Sequence, residues 1–273
     1  MLCIRRVYMI LYKYVTASTA KSIMNKEAIA FSRMHTLNDP FEMHAICNYK
    51  RILESTKLKV GDQQLDESIL PYYINEFCGV LSLTRNPLNL IMWSHYADNH
   101  QGIVIGLDIK ECGFCDESEN IIPAQLGDVI YTRDVPKLID WTTCEPIFTC
   151  ANSYKQIISE YGMPEWGFFK GVFLYKGYDW AYEEEVRVVK KLDGTSCWES
   201  VWIKDDGDNL MDINSHINIY KIPLSAIKEI YLGARFPVDD VLKYIPSSVA
   251  ASAKIKLCKV KNGEYSLGLS DFK

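Results

Sequence analysis

The sequence has no uninterrupted apolar stretch of the roughly 18 residues that a membrane-crossing helix needs. A short run from Val7 to Tyr12 follows Arg5 and Arg6 as in a secretory leader. Lys13 interrupts it and no small-residue cleavage site follows, so it reads as a strand of a cytoplasmic protein with no membrane partner. There is no excess of positive charge either: 30 Lys and Arg stand against 35 Asp and Glu, for a net charge of −5. That argues against a protein held mainly by broad contact with nucleic-acid phosphates, while leaving room for a local basic groove.

Internal repeats, low-complexity tracts and Pro/Ser-rich linkers are absent, so residues 1–273 read as one continuous domain. Metal-ligand patterns are scarce. Cys112 and Cys115 have CxxC spacing, but no second CxxC and no HxxxH accompanies them, and a zinc site needs about four ligands. Nine scattered cysteines, an odd number, read as reduced thiols rather than a disulfide framework.

What is present is an ordinary core-forming composition, 48% hydrophobic and 24% charged. Its 17 Tyr and 6 Trp offer walls for stacking a flat ligand. Met9 to Val15 reads as a strand, Thr16 as an N-cap, and Ala17, Ala20, Ile23 and Met24 as one helical face. Ala28 to Ser32, Gly79 to Thr84, Ile103 to Asp108, Asp128 to Tyr131 and Lys254 to Val260 read as strands. Tyr220 to Ile222 and Glu229 to Leu232 are expected to close the same sheet. Asn86 and Pro87 open a helix through Leu90, Trp93 and Tyr96, and a second covers Trp166 to Tyr175. Trp180 to Val189 reads as one strand. Because strands and helices do not alternate regularly, the fold class expected is α+β with a mixed, largely antiparallel sheet and flanking helices.

Four places hold more polar density than folding requires. Glu183, Glu185 and Arg187 are spaced by two on the expected strand and so share a face. Two carboxylates this close repel, so that one titrates high unless Arg187 pairs with Glu185; an exposed edge of alternating charge is the plainer alternative. Ser82 and Thr84 share a strand face. Trp93, Ser94, His95 and Tyr96 follow on a helix, where Trp93 and Tyr96 fit packing and His95 fits a surface residue. In Asn38-Asp39-Pro40-Phe41-Glu42, Asp39 as cap, Pro40 at the first helical position and Glu42 three residues on form a capping box.

LYKY at 11–14, FS at 31–32, NDPFE at 38–42, MWSHYAD at 92–98, W-x-x-E-x-E-x-R at 180–187 and IYLG near 230 occur in this order. Together they resemble the family known as domain of unknown function 2971 (DUF2971), across nearly the whole chain. The opening LYKYvt, short helix, FS also resembles DarT-type ADP-ribosyltransferases. That resemblance implies a split mixed sheet with NAD in its cleft, as substrate and without a metal. It also implies a basic residue on the first strand, an S-x-S/T pair on a second and E-x-E on a later one; here these are Lys13, Ser82-x-Thr84 and Glu183-x-Glu185. By the same resemblance Glu185 stabilises the oxocarbenium and Glu183 serves the acceptor, a protein or nucleic acid. Lys13 and Arg187 face the cofactor, Ser82 and Thr84 hold the strand geometry, and Tyr14 or Tyr96 stacks the nicotinamide. A toxin or phage-defence setting is implied with it.

Two rivals stand beside this reading. A metal-dependent nuclease or phosphodiesterase would use Asp39, Glu42, Glu183 and Glu185 as oxygen ligands for Mg²⁺. A non-catalytic sensor or binding module would use the aromatic residues as a recognition pocket.

Overall fold

A computed structural model of the chain describes residues 9–42, 59, 60, 63, 64, 75, 77–135, 152–192 and 218–272. The strands in chain order begin with β1 (Ile10–Val15), β2 (Ala28–Phe31), β3 (Lys59–Val60), β4 (Gln63–Gln64), β5 (Cys78–Thr84) and β6 (Ile103–Asp108). They continue with β7 (Ile130–Thr132), β8 (Tyr175–Gly177), β9 (Glu185–Lys191), β10 (Asn218–Lys221), β11 (Ile227–Leu232), β12 (Lys254–Val260) and β13 (Leu267–Asp271). The larger helices are α1 (Ala17–Lys26), α2 (Leu90–Tyr96) and α3 (Met163–Phe173). Among the described residues no helix is long and apolar enough to cross a membrane.

Among the described residues seven strands form one sheet in the order β13-β12-β11-β6-β1-β5-β9, antiparallel except for the β11–β12 pair. This is the α+β arrangement expected. All six residues of β6 (IVIGLD) are buried, as suits a central strand covered on both faces. β1 pairs with β6 from Ile10–Asp108 to Val15–Ile103, and β5 with β9 from Cys78–Lys191 to Thr84–Glu185. β1 and β5 share only the pair Tyr12–Thr84. The sheet is therefore split between these neighbours.

One face carries Leu11, Val15, Leu81, Ile105 and Val188 against Ala20, Ile23 and Met24 of α1. The other carries Val80 and Val189 against Phe169, Val172 and Phe173 of α3, and Tyr14 and Val104 against Trp93 of α2. Trp93, Phe169 and Phe173 are buried and Tyr96 half-buried, in keeping with their helical faces. Trp93 meets Tyr14 edge-on, with ring centroids 5.3 Å apart, and its indole N–H donates to the Pro87 carbonyl. Thr16 caps α1 as expected, its hydroxyl accepting from the Thr19 amide.

Several expected elements move. Trp180 to Glu183 is part of a 3₁₀ turn (Tyr178–Glu183), and the strand starts only at Glu185, after Glu184 at φ 46°. Side chains from the end of β5 and from the β5–α2 connection compete here with the ladder. Thr84 donates to the Glu183 carbonyl, Asn86 Nδ2 to the Glu184 carboxylate and Asn89 Nδ2 to the Tyr182 carbonyl. Asn89, not Asn86, caps α2 by accepting from the Ile91 and Met92 amides. α3 ends at Phe173, and Tyr175 belongs to β8, which runs parallel to β7. β10 pairs with β2 in a separate ribbon rather than closing the main sheet. Cys78, Cys112, Cys115 and Cys258 are free thiols, and Cys3, Cys47, Cys144, Cys150 and Cys197 lie outside the described residues.

Gly127 packs against β9 so closely that a Cβ there would lie 2.0 Å from the Arg187 carbonyl oxygen, while its own carbonyl accepts from the Arg187 amide. Gly127→Ala should destabilise the fold by roughly 2–4 kcal/mol through this backbone clash. Urea denaturation measures the loss, and a change under about 0.5 kcal/mol, the range of a neutral surface substitution, would contradict the close approach.

Candidate functional site

Where β1 and β5 part, a cleft opens whose free space of about 140 Å³ is that of a single six-membered ring. Of the residues nominated from sequence, Lys13, Tyr14, Ser82, Tyr96, Glu183 and Glu185 all line it. They come from β1, β5, α2, the 3₁₀ turn and the start of β9, elements far apart in the chain. Lys13 bridges the split: its Nζ donates to the Ser82 carbonyl at 2.9 Å, doing the work that a ladder amide would do in an unbroken sheet. Tyr14 is anchored at its hydroxyl, which donates to the Asn86 carbonyl and accepts from the Asn89 amide. Thr84 and Arg187 do not line the cleft. Thr84 holds the Glu183 backbone, and Arg187, with 0% of its surface exposed, lies behind the carboxylates.

Three carboxylates converge on two cations. Arg187 forks onto Glu185, with Nε to Oε1 at 2.9 Å and Nη2 to Oε2 at 3.0 Å. Its Nη2 also donates to Glu42 Oε1 at 2.6 Å and its Nη1 to the Phe173 carbonyl at 2.7 Å. Lys176 donates to Glu183 Oε2 at 2.7 Å and Glu185 Oε2 at 3.2 Å, and its Nζ lies 3.4 Å from Glu42 Oε1. The same ammonium sits 4.8 Å from the Trp180 ring centroid. Tyr96 donates to Glu183 Oε1 at 2.6 Å and accepts from Asn38 Nδ2 at 2.8 Å. The network thus runs from NDPFE through Tyr96 of MWSHYAD to E-x-E-x-R, joining three of the quoted motifs.

Two expectations are corrected here. Glu183 and Glu185 were expected to leave one strand face, but Glu183 lies in the 3₁₀ turn and only Glu185 is on the strand. Arg187 does pair with Glu185, the condition under which the repulsion is relieved, and the Glu185 carboxyl is held low. Burial alone would raise its pKa, but the charges of Arg187 and Lys176, with the Arg187 hydrogen bonds, hold it at about 2. The capping box is the second. Asp39 Oδ1 does accept from the Phe41 amide, closing a turn over residues 40–42, but Glu42 reaches inward to Arg187 instead of back to the turn, and the helix expected to follow lies outside the described residues. A guanidinium in the dry interior outbids a solvent-side amide for a carboxylate.

For Lys13, burial pushes the pKa down, against a smaller upward pull from Glu185 and Glu183. Burial and the bond to Glu183 raise that of Tyr96, so its phenol stays protonated. Among the described residues no three His, Cys, Asp or Glu side chains are arranged to hold a metal ion. Lys176 Nζ lies within 3.4 Å of Glu42, Glu183 and Glu185, at the point a shared cation would need.

Sequence reasoning missed Lys176 altogether, gave Asn38 no role of its own, and placed Glu42 in a capping box or, in the nuclease alternative, on Mg²⁺. The signal for Lys176 was a lone charge in the apolar run GVFLYKGY. Because Glu185 prefers its charged form in the fold, its stabilisation is complete above its ordinary value of 4.5 and is lost as pH falls toward 2. The thermal midpoint should therefore drop steeply below pH 4.5, and less steeply in Glu185→Gln. Equal acid slopes in the two proteins would show that Glu185 is not held as described.

The family described as Protein of unknown function (DUF2971) matches residues 92–188, a stretch that holds Tyr96, Lys176, Glu183, Glu185 and Arg187. Lys13, Asn38, Glu42 and Ser82 lie outside it. No curated protein and no solved structure matches the chain.

Proposed function

We propose that this DUF2971-like chain binds NAD with the nicotinamide end in the split between β1 and β5, and transfers ADP-ribose to a macromolecular acceptor. The observation that carries this reading is the convergence of Lys13, Ser82 and the Glu183–Glu185 pair on one ring-sized cleft with aromatic walls. Breaking the bond between nicotinamide and ribose places positive charge on the ribosyl carbon. Anions fixed in a water-poor site stabilise such charge without reorganising.

Glu183 and Glu185 divide that work. Glu185 accepts three hydrogen bonds from Arg187 and Lys176, stays ionised at any physiological pH and anchors both cations. Among the described residues Glu183 accepts from Tyr96 and Lys176, leaving lone pairs for a ribose hydroxyl or for an acceptor proton. Tyr12, Tyr14 and Tyr96 offer ring faces or edges to a flat cationic group, and Lys13 supplies positive charge beside the cleft for phosphate. This assignment moves contact with the ribose from Glu185 toward Glu183.

Incubation of the protein with labelled NAD and cell lysate, followed by separation into protein, RNA and DNA, tests the reading. Nicotinamide release with label in one macromolecular fraction, unaffected by EDTA, is the expected result. Intact NAD alongside Mg²⁺-dependent nucleic-acid cleavage would replace this reading with the nuclease. Intact NAD with no cleavage would leave a binding module.

A further inference from the structure

Every carboxylate oxygen of Glu183 and Glu185 has a donor, and so does Glu42 Oε1. Glu42 Oε2 has none among the described residues, although Glu42 is only 3% exposed and lines the cleft. Buried carboxylate oxygens without a partner are rare, because the lost hydration is not returned. Local structure does not require this one. The turn is already closed by the Asp39 side chain on the Phe41 amide and the Asp39 carbonyl on the Glu42 amide. The Glu42 side chain is turned inward to Arg187, which takes Oε1 and leaves Oε2 a buried acceptor without a partner among the described residues, on a residue that lines the ring-sized space.

We propose that Glu42 Oε2 is a ligand-recognition atom, which accepts an N–H from the carboxamide of a ring seated in the cleft and so selects a carboxamide over a ring of equal shape that lacks the donor. The inference rests on the reading of the cleft as a nicotinamide seat. It adds a specificity-determining residue outside the E-x-E pair. A site built to accept a hydrogen bond discriminates strongly against a ligand without one, since the buried group is then left unpaired.

Nicotinamide and 3-acetylpyridine form the probe pair: both are neutral and nearly isosteric, and the second carries a methyl where the first has NH₂. On the full-length wild-type chain, calorimetry should find nicotinamide at least about tenfold tighter, the size of one buried hydrogen bond. Equal affinities, or no binding of either, would overturn the proposal without any variant. Glu42→Gln adds a second arm. Arg187 requires an acceptor at the Oε1 position, so the glutamine NH₂ must take the Oε2 position and present a donor there. The preference should fall to about onefold in a protein whose thermal melt still shows one cooperative transition. A preference unchanged in folded Glu42→Gln would also overturn the proposal. NAD turnover in the wild type separates the two readings. Turnover without a carboxamide preference removes the role of Glu42 and keeps the transferase; a preference without turnover keeps Glu42 and removes the transferase.

Discussion

Arg187→Met should cost the fold about 3–5 kcal/mol, the range found when one partner of a buried ion pair is removed. Methionine replaces much of the aliphatic stem, so the loss reports the guanidinium rather than a cavity. Without it, Glu185 loses both of its Arg187 hydrogen bonds and Glu42 Oε1 loses its shortest contact. Among the described residues Lys176 alone then faces three carboxylates. Arg187→Lys should recover part of the loss, because it keeps the charge but not the fork that reaches Glu185, Glu42 and the Phe173 carbonyl together. Neutralising the acids by Glu42→Gln and Glu185→Gln in the Arg187→Met background should recover more, and the non-additivity measures the coupling. Urea denaturation of the series decides the matter. A loss below about 1 kcal/mol for Arg187→Met would mean that the pair behaves like an exposed one.

Glu183→Gln should lower NAD turnover by about 10²–10³-fold, the usual effect of removing one electrostatic partner from a dry catalytic site. Glutamine keeps the shape and an acceptor for Tyr96, but not the charge facing the developing cation. Glu185→Gln should lower turnover comparably and also lower the thermal midpoint, because Arg187 and Lys176 are left with less negative charge to balance. That contrast separates contact with the ribose from support of the cations. Nicotinamide release, read beside thermal midpoints and with and without EDTA, gives both quantities for each variant. Full turnover in Glu183→Gln would remove the transferase reading, and loss of turnover with EDTA would point to the Mg²⁺ alternative.

Strand β6, strand β12 and the Thr16 cap are legible in sequence because the information is local. IVIGLD and KIKLCKV carry their own β-branched or buried pattern, and a hydroxyl at Thr16 needs only the amide three residues on. β13 (LGLSD) was not legible: it holds no β-branched residue, and only pairing with β12 makes it a strand.

The candidate residues were legible by type and order, and the split of the sheet that gathers them was expected only through resemblance. Their roles were not. Asp39-Pro40-Phe41-Glu42 satisfies a capping box by spacing, and nothing nearby says that Glu42 will prefer a guanidinium 145 residues away. Glu183 falls off the strand because Thr84 at the end of β5 claims its carbonyl and Asn89 of the β5–α2 connection claims that of Tyr182. Residue types and periodicity determine, on their own, which segments bury a face and which acids and bases are at hand. Which buried charge pairs with which is decided only in the tertiary structure, because that pairing is an electrostatic choice made through space in a medium without water to blur it.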